Sequence, residues 1–307
     1  MTKAVAARPD GPAVPDVIRR LPEYLMIWVP LLLSAAHLVS FSAWTIWISF
    51  TPSTLVPVTG WVGLRNYTAV AASRNWQIAF DNLLLFGCAF VLLSLATGLV
   101  LAILLDQRLR GENLLRSIFL YPLAVSFVVT GTVWSWLLNP GLGIQKLVHD
   151  LGWTSFKFDW LIDRDMAIWT IVIAAIWQSS GFAMALFLAG LRSVDSDIIK
   201  AAQIDGAGPI RMYRRIILPT LWPITITVVV VQLQFAISAF DLVRALTNGG
   251  PGIATQLPAL VVYDLMFQRS LLGRGAAAAV LMLLILLVVL LPYAAWRYVR
   301  GRRAAHA

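Results

Sequence analysis

The sequence predicts an all-α integral membrane protein with six transmembrane helices, both termini in the cytoplasm and one polar loop between spans four and five. Three observations lead there. Apolar residues make up 59% of the 307 positions and charged residues only 13%, about half the charged share of a soluble domain. The apolar residues gather in runs near the ~20 residues that cross a bilayer. The basic residues gather between those runs, and unevenly.

The predicted spans are about Tyr24–Phe50, Asn82–Leu105, Ile118–Leu138, Ala167–Leu191, Ile224–Leu246 and Gly275–Trp296. Backbone groups in lipid must be satisfied within their own segment, so these are helices; the alternating ten-residue segments of a barrel are absent. The opening "MTKAVAARPDGPAVPDVIRRLPEY" is polar and rich in Pro and Ala. The run after it is too long for a signal-peptide core and reads as an uncleaved span.

Orientation follows from Lys and Arg in the connections. Sixteen lie in the N-terminal tail (Lys3, Arg8, Arg19, Arg20), the 2–3 loop (Arg108, Arg110, Arg116), the 4–5 loop (Arg192, Lys200, Arg211, Arg214, Arg215) and the C-terminal tail (Arg297, Arg300, Arg302, Arg303). Seven lie in the other connections: Arg65, Arg74, Lys146, Lys157, Arg164, Arg269 and Arg274. The larger set marks the cytoplasmic side. Trp44, Trp47, Trp61 and Trp76, with Trp134 and Trp136, fall near the outer ends of spans one to three, where amphipathic rings favour the headgroup level. Ordinary helix packing would place any one of them equally well.

Several functions are excluded. The net charge of +9 would suggest nucleic acid in a soluble chain, but here the basic residues set topology. Cys88 is alone, and His37, His149 and His306 are scattered, so neither an intrachain disulfide nor a Cys/His metal site is expected. No G-x4-G-K-[ST] run is present, so the chain is not expected to hydrolyse ATP or to bind a cofactor itself.

The polar stretch is "SVDSDIIKAAQIDGAGPIRMYRRIILPTLWP". Asp195 or Ser196 can cap a helix start, and Ile198, Ala201 and Ala202 then form a narrow apolar stripe. Gly206 after Asp205 is a natural stop. Pro209 takes the favoured first position of a second helix, with Ile210, Tyr213, Ile216 and Ile217 on one face and Arg211, Arg214 and Arg215 on another. Pro219 is expected to end it. Two short amphipathic helices result. They can lie on a membrane surface or insert into a groove on a soluble partner; periodicity alone does not separate the two.

This stretch resembles the signature loop of importer-type ABC permeases, EAA-x2-DGA-x5-F-x2-I-x-LP-x3-P. Ala201, Ala202, Asp205, Gly206, Ala207, Ile216, Leu218, Pro219 and Pro223 match; Lys200 stands where Glu is most common and Tyr213 where Phe is. "WVGLRNY", "LDQRLR", "WLLNPGLG", "WQSSGFAMALFLAGL" and "LTNGGPG" are similar to segments of sugar permeases, nearest to those of glucose or mannose importers. The resemblance implies a cytoplasmic tail (1–23), a first transmembrane helix and outer loop (24–77), a permease domain of five helices (78–296) holding the coupling loop (192–223), and a basic cytoplasmic tail (297–307). It further implies a multi-pass protein of the bacterial inner membrane. Its implied partners are a second permease chain, an ATPase dimer that uses ATP and Mg, and a periplasmic sugar-binding protein. Alternating access would be powered through the loop.

Sugar recognition needs hydrogen-bonding groups and aromatic faces in a cavity. Span four offers Trp177, Gln178, Ser179, Ser180 and Phe182; span five offers Gln232, Gln234, Phe235, Ser238, Phe240 and Asp241. The resemblance points to the neighbourhoods of Ser179, Phe182, Phe235 and Ser238. These groups can instead bond only between helices. Asp241 can pair with Arg244 three residues on or face the sugar. A secondary transporter working without an ATPase is the competing reading, but it calls for inverted repeats and paired broken helices. A membrane enzyme would need a clustered catalytic constellation. Neither is visible.

Overall fold

A computed structural model describes residues 16–107 and 110–305. Lys3, Arg8 and Arg108, which entered the orientation count, lie outside them, as do the side chains of Arg19, Arg20, Arg297, Arg300, Arg302 and Arg303. Every regular element among the described residues is helical. In order they are α1 (Asp16–Ser49), α2 (Arg65–Ala71), α3 (Arg74–Asp106), α4 (Glu112–Ala124), α5 (Phe127–Leu137), α6 (Ile144–Asp150), α7 (Ala167–Arg192), α8 (Ser196–Ile204), α9 (Pro209–Thr220), α10 (Trp222–Ile237), α11 (Phe240–Leu246), α12 (Pro258–Tyr263) and α13 (Leu272–Ala305). Two π-helical turns occur, Tyr213–Ile217 within α9 and Asp264–Gln268 after α12.

The chain divides into two compact units, one up to Trp47 and one from Ile48 onward. The first is the bulk of α1, whose Met26–Ser49 stretch is long and apolar enough to cross a membrane. The second is a bundle built on α3 and α7, each also long enough to cross; α13, whose Leu272–Ala295 stretch is long enough too, packs chiefly on α2 and α12. Phe86, Phe90, Ile171, Ala175, Leu242 and Leu260 form the larger part of its core. At the other end of α3 and α7, Leu105, Phe187, Leu191, Ile217 and Leu221 form a second core.

Spans two, four and six lie within α3, α7 and α13. Span three is not the continuous helix that hydropathy predicts. α4 and α5 meet at 99°. Pro122 stands in the last turn of α4, Val125 is extended (ψ 138°), and Ser126 caps the restart by accepting from the Val129 N–H at 3.4 Å. Proline removes a helical donor and crowds the preceding turn, and Ser offers an N-cap. Span five is broken as well. α10 ends at Ile237, the chain turns through Ser238 and Ala239, and α11 begins at Phe240. Pro219 does not end the second loop helix: it sits in the first turn of a short continuation after the π-turn, and the chain turns two residues later at Leu221 before α10 leaves at 65°. Proline is tolerated at that first-turn position, where its missing N–H leaves nothing unsatisfied.

Candidate coupling loop and polar face

The loop after α7 is anchored by one side chain. Arg192, the last residue of α7, places Nη2 at 2.6 Å from Glu112 Oε1 at the start of α4 and Nε at 3.7 Å from Asp106 Oδ1 at the end of α3. Three helix ends are thereby tied together. In the sequence Arg192 reads only as a topological charge; the signal that could have found it is a pair of acids, Asp106 and Glu112, in an otherwise basic loop.

Beyond this clamp, Asp195 caps α8 as expected, accepting from the Asp197 N–H at 2.8 Å. Lys200 pairs with Asp197 at 2.9 Å, both exposed, an arrangement that adds little stability. Ala201 and Asp205 are exposed, and Ala202 is buried. Gly206 stops the helix at φ +75°, with nothing within 4 Å of where a β-carbon would stand. The Ala207 N–H reaches back to the Ala202 carbonyl at 2.9 Å, the hydrogen bond of a left-handed helix end. Pro209 starts α9 as predicted. Ile204 and Ile210, on either side of the glycine, are 87% and 83% exposed. Arg211, Arg214, Arg215, Leu218 and Pro219 are exposed too, while Ile217 enters the core and Ile216 is half-buried. Tyr213 packs against that core. Burial, and then the Asp106 carboxylate, push its phenol pKa up from the ordinary value, so the ring carries a neutral O–H. A shallow hollow of about 470 Å³ lies along Gly206, Gly208, Pro209, Ile210 and the three arginines. The loop therefore offers two short helices rooted in the bundle, with an apolar and basic tip left exposed among the described residues.

The polar residues of the spans divide into two groups. Gln178 and Ser179 are buried between helices, at 2% and 1% exposure. Gln178 Nε2 donates to the Val125 carbonyl at 2.6 Å, closing the break in span three. Trp177 turns elsewhere, edge-on to Trp134 and along an apolar groove with Ile118, Phe119 and Pro122. The remaining candidates of span five lie around its break. Gln234 in the last turn of α10, Asp241 in the first turn of α11 and Ser238 in the break between them are all exposed. Beside them Phe235 meets Phe182 edge-on at 6.4 Å and Phe127 at 6.2 Å. Phe127, the first residue after the other break, was not singled out from the sequence, because nothing local announces that a fold in span three carries it here. Asp241 and Arg244 do not pair. Arg244 Nη1 donates to Asn248 Oδ1, and its guanidinium lies over the Tyr263 ring at 4.9 Å. Helical spacing permits the ion pair, but a residue within one turn and an aromatic face from α12 compete for the same cation.

The family profile described as "binding-protein-dependent transport system inner membrane component" matches residues 94–303. The chain belongs to that family. It is 40% identical over 281 residues to a probable ABC transporter permease protein of Pyrococcus horikoshii, covering 91% of this chain and 96% of that one. It is 34% identical to a trehalose/maltose transport system permease of Thermococcus litoralis over 78% of this chain and 82% of the relative. It is 32% identical to a xylose/arabinose import permease of Haloferax volcanii over 93% and 90%. Among solved structures, a chain of a bacterial ABC transporter that imports alginate shares the fold with a TM-score of 0.79 at 19% identity, over 94% of this chain and 97% of that one. The protein is thus a multi-pass ABC-importer permease, a translocation component. The matched residues include the clamp at Arg192, the helix pair and the exposed polar face.

Proposed function

We propose that this permease moves a carbohydrate, glucose, mannose or a related glycoside, across the bacterial inner membrane by alternating access. The helix pair α8–α9 receives a separate ATP- and Mg-using ATPase dimer. A second permease chain, different in sequence, completes the path, and a periplasmic binding protein delivers the cargo. The observation that carries the coupling role is Gly206 at φ +75° between two apolar tips, Ile204 and Ile210. The cargo class is supported by exposed Gln234, Ser238 and Asp241 around the break in span five and by the Phe182–Phe235–Phe127 rings on the same span, polar and aromatic groups of the kind suited to hydroxyl-rich ligands. The carbohydrates named for the relatives from Thermococcus and Haloferax support it also.

The test is Gly206→Val, with uptake of labelled sugars and copurification of the ATPase through a tagged permease. A branched side chain at positive φ is strained by roughly 1–2 kcal/mol and stands in the hollow a partner would fill. Insertion is expected to be normal, the ATPase lost and uptake abolished; retention of both would overturn the docking role. Both ends and the helix pair lie in the cytoplasm on this reading. A reporter active only outside should work when fused at Ser155 and fail at Gly208, and the reverse pattern would contradict it.

A further inference from the structure

At the opposite end of the bundle from the Arg192 clamp, three arginines converge on one small cavity. α3 runs 33 residues from Arg74 to Asp106, about 50 Å at 1.5 Å per residue, so its Arg74 end is a full bilayer away from the coupling loop. Arg74, Arg269 and Arg274 line a cavity of about 190 Å³ together with Ser73, Asn75, Gln256 and Asp264. Arg74 is the first residue of α3, and Arg269 and Arg274 flank the start of α13. Their positions at the mouths of two membrane-crossing helices correspond to headgroup depth. A second cavity of about 220 Å³, with Arg65, Asn66 and Ser53, shares Arg274. Four of the seven basic residues on the sparsely charged side therefore gather at one place.

The charges there are not balanced. Among the described residues, no ion pair within 4.0 Å involves Arg74, Arg269, Arg274 or Asp264. Asp264 Oδ2 accepts instead from Gln256 Nε2 at 2.9 Å. Three guanidiniums against one carboxylate leave two positive charges in excess. Gln256 adds an independent observation. It is 4% exposed, and its Oε1 has no hydrogen-bond partner. A carboxylate can only accept, which fixes the amide with Nε2 toward Asp264 and Oε1 as an orphan acceptor. A buried acceptor without a donor is unfavourable.

We propose that this cavity binds a phosphate-class oxyanion that also carries a hydroxyl: hydrogen phosphate itself, or the phosphodiester of a lipid headgroup with a free hydroxyl. Guanidinium forks match phosphate oxygens in pairs, and two excess charges match a phosphate dianion. The hydroxyl, or the P–OH of hydrogen phosphate, donates to Gln256 Oε1. Sulfate and a choline phosphodiester lack that donor, and a site built to receive a hydroxyl rejects analogues without one. At ~30 Å³ per water, the cavity has room for about six waters, enough for a tetrahedral oxyanion with a short hydroxylated arm.

The test uses the intact purified transporter. In delipidated detergent samples, binding of radiolabelled inorganic phosphate is compared with sulfate at equal ionic strength. In parallel, nanodiscs of phosphatidylglycerol or phosphatidylcholine are tested for lipid that survives detergent extraction, by native mass spectrometry. Each is repeated with Arg74→Gln/Arg269→Gln, which should remove one site's worth of ligand, and with Gln256→Leu, which should abolish discrimination between phosphate and sulfate. Asp264→Asn removes the only carboxylate among the described residues that line the cavity and should tighten binding about tenfold, a gain that a misfolded variant cannot give. Arginine-dependent binding of free phosphate identifies a soluble ligand; arginine-dependent retention of phosphatidylglycerol alone identifies a lipid. No ligand lost on substituting the arginines, or equal affinity for phosphate and sulfate in the native chain, overturns the assignment.

Discussion

Gly181 sits on α7 where the broken third span folds against it, and replacing it by alanine should open that joint. A β-carbon at Gly181 would stand 2.0 Å from the Phe119 carbonyl oxygen and 2.8 Å from its carbonyl carbon. Ordinary contact begins at about 3.4 Å, so α4 must retreat by about 1.4 Å, and the obstacle is backbone, which cannot rotate aside. Such overpacking costs about 1–3 kcal/mol. The same retreat stretches the 2.6 Å bond from Gln178 Nε2 to Val125 O, worth ~0.6 kcal/mol between membrane helices. Together they predict a loss of about 1.6–3.6 kcal/mol. At about 2–4 °C per kcal/mol, the unfolding midpoint of the detergent-purified chain should fall by roughly 3–14 °C. Gly208→Ala is the control: nothing lies within 4 Å of its β-position and its φ is −66°, so its midpoint should stay within a degree or so of wild type. Tryptophan fluorescence during heating reads both. Equal midpoints for Gly181→Ala and wild type would refute the packing described for α4 and α7.

Arg192→Ala removes the tie among α3, α4 and α7. Because the pair is partly exposed, the stability loss should be below about 1 kcal/mol, yet amide exchange near Asp106–Glu112 and through α8 should rise clearly. Arg192→Lys should restore little of it, since one ammonium cannot span both carboxylates as a fork does, and unchanged exchange in the alanine variant would remove the clamp from the account. For Asp241→Asn and Arg244→Gln, the absence of contact predicts additive effects on stability, with a coupling energy within about 0.5 kcal/mol. Coupling above 1 kcal/mol in that double-mutant cycle would show that the two residues interact after all.

The loop was legible from the sequence nearly residue by residue, because each of its signals is local. A capping Asp195, a stop at Gly206 and a first-turn Pro209 act on their own backbone within a turn. The long spans were legible for a similar reason: mean apolarity over some twenty residues needs no knowledge of neighbours. The breaks were not. Pro122 and Ser126 are tolerated inside membrane helices when other groups satisfy the freed backbone, and the group that does so here, Gln178, comes from 53 residues away. The same distance effect explains why Gln178 and Ser179 read as path residues but lie between helices, and why Phe127 was overlooked. Asp241 and Arg244 failed differently: their spacing was right, but helical proximity says nothing of a Tyr263 ring arriving from α12.

The two breaks have a joint mechanical consequence. α5 and α11 are the short pieces left over when spans three and five interrupt themselves, and they lie against each other with almost no gap. At Gly131 a β-carbon would come within 2.7 Å of Ala245 Cβ and 2.8 Å of the Leu242 carbonyl oxygen. Prising such close-packed pieces apart opens an empty cavity, so the two pieces keep their contact when either span is displaced. The pair is therefore one tile shared by spans three and five: a displacement of either span's short piece carries the other's with it, and Phe127, the first residue of α5, and Ser238, two residues before α11, stand where the tile joins the rest of the two spans.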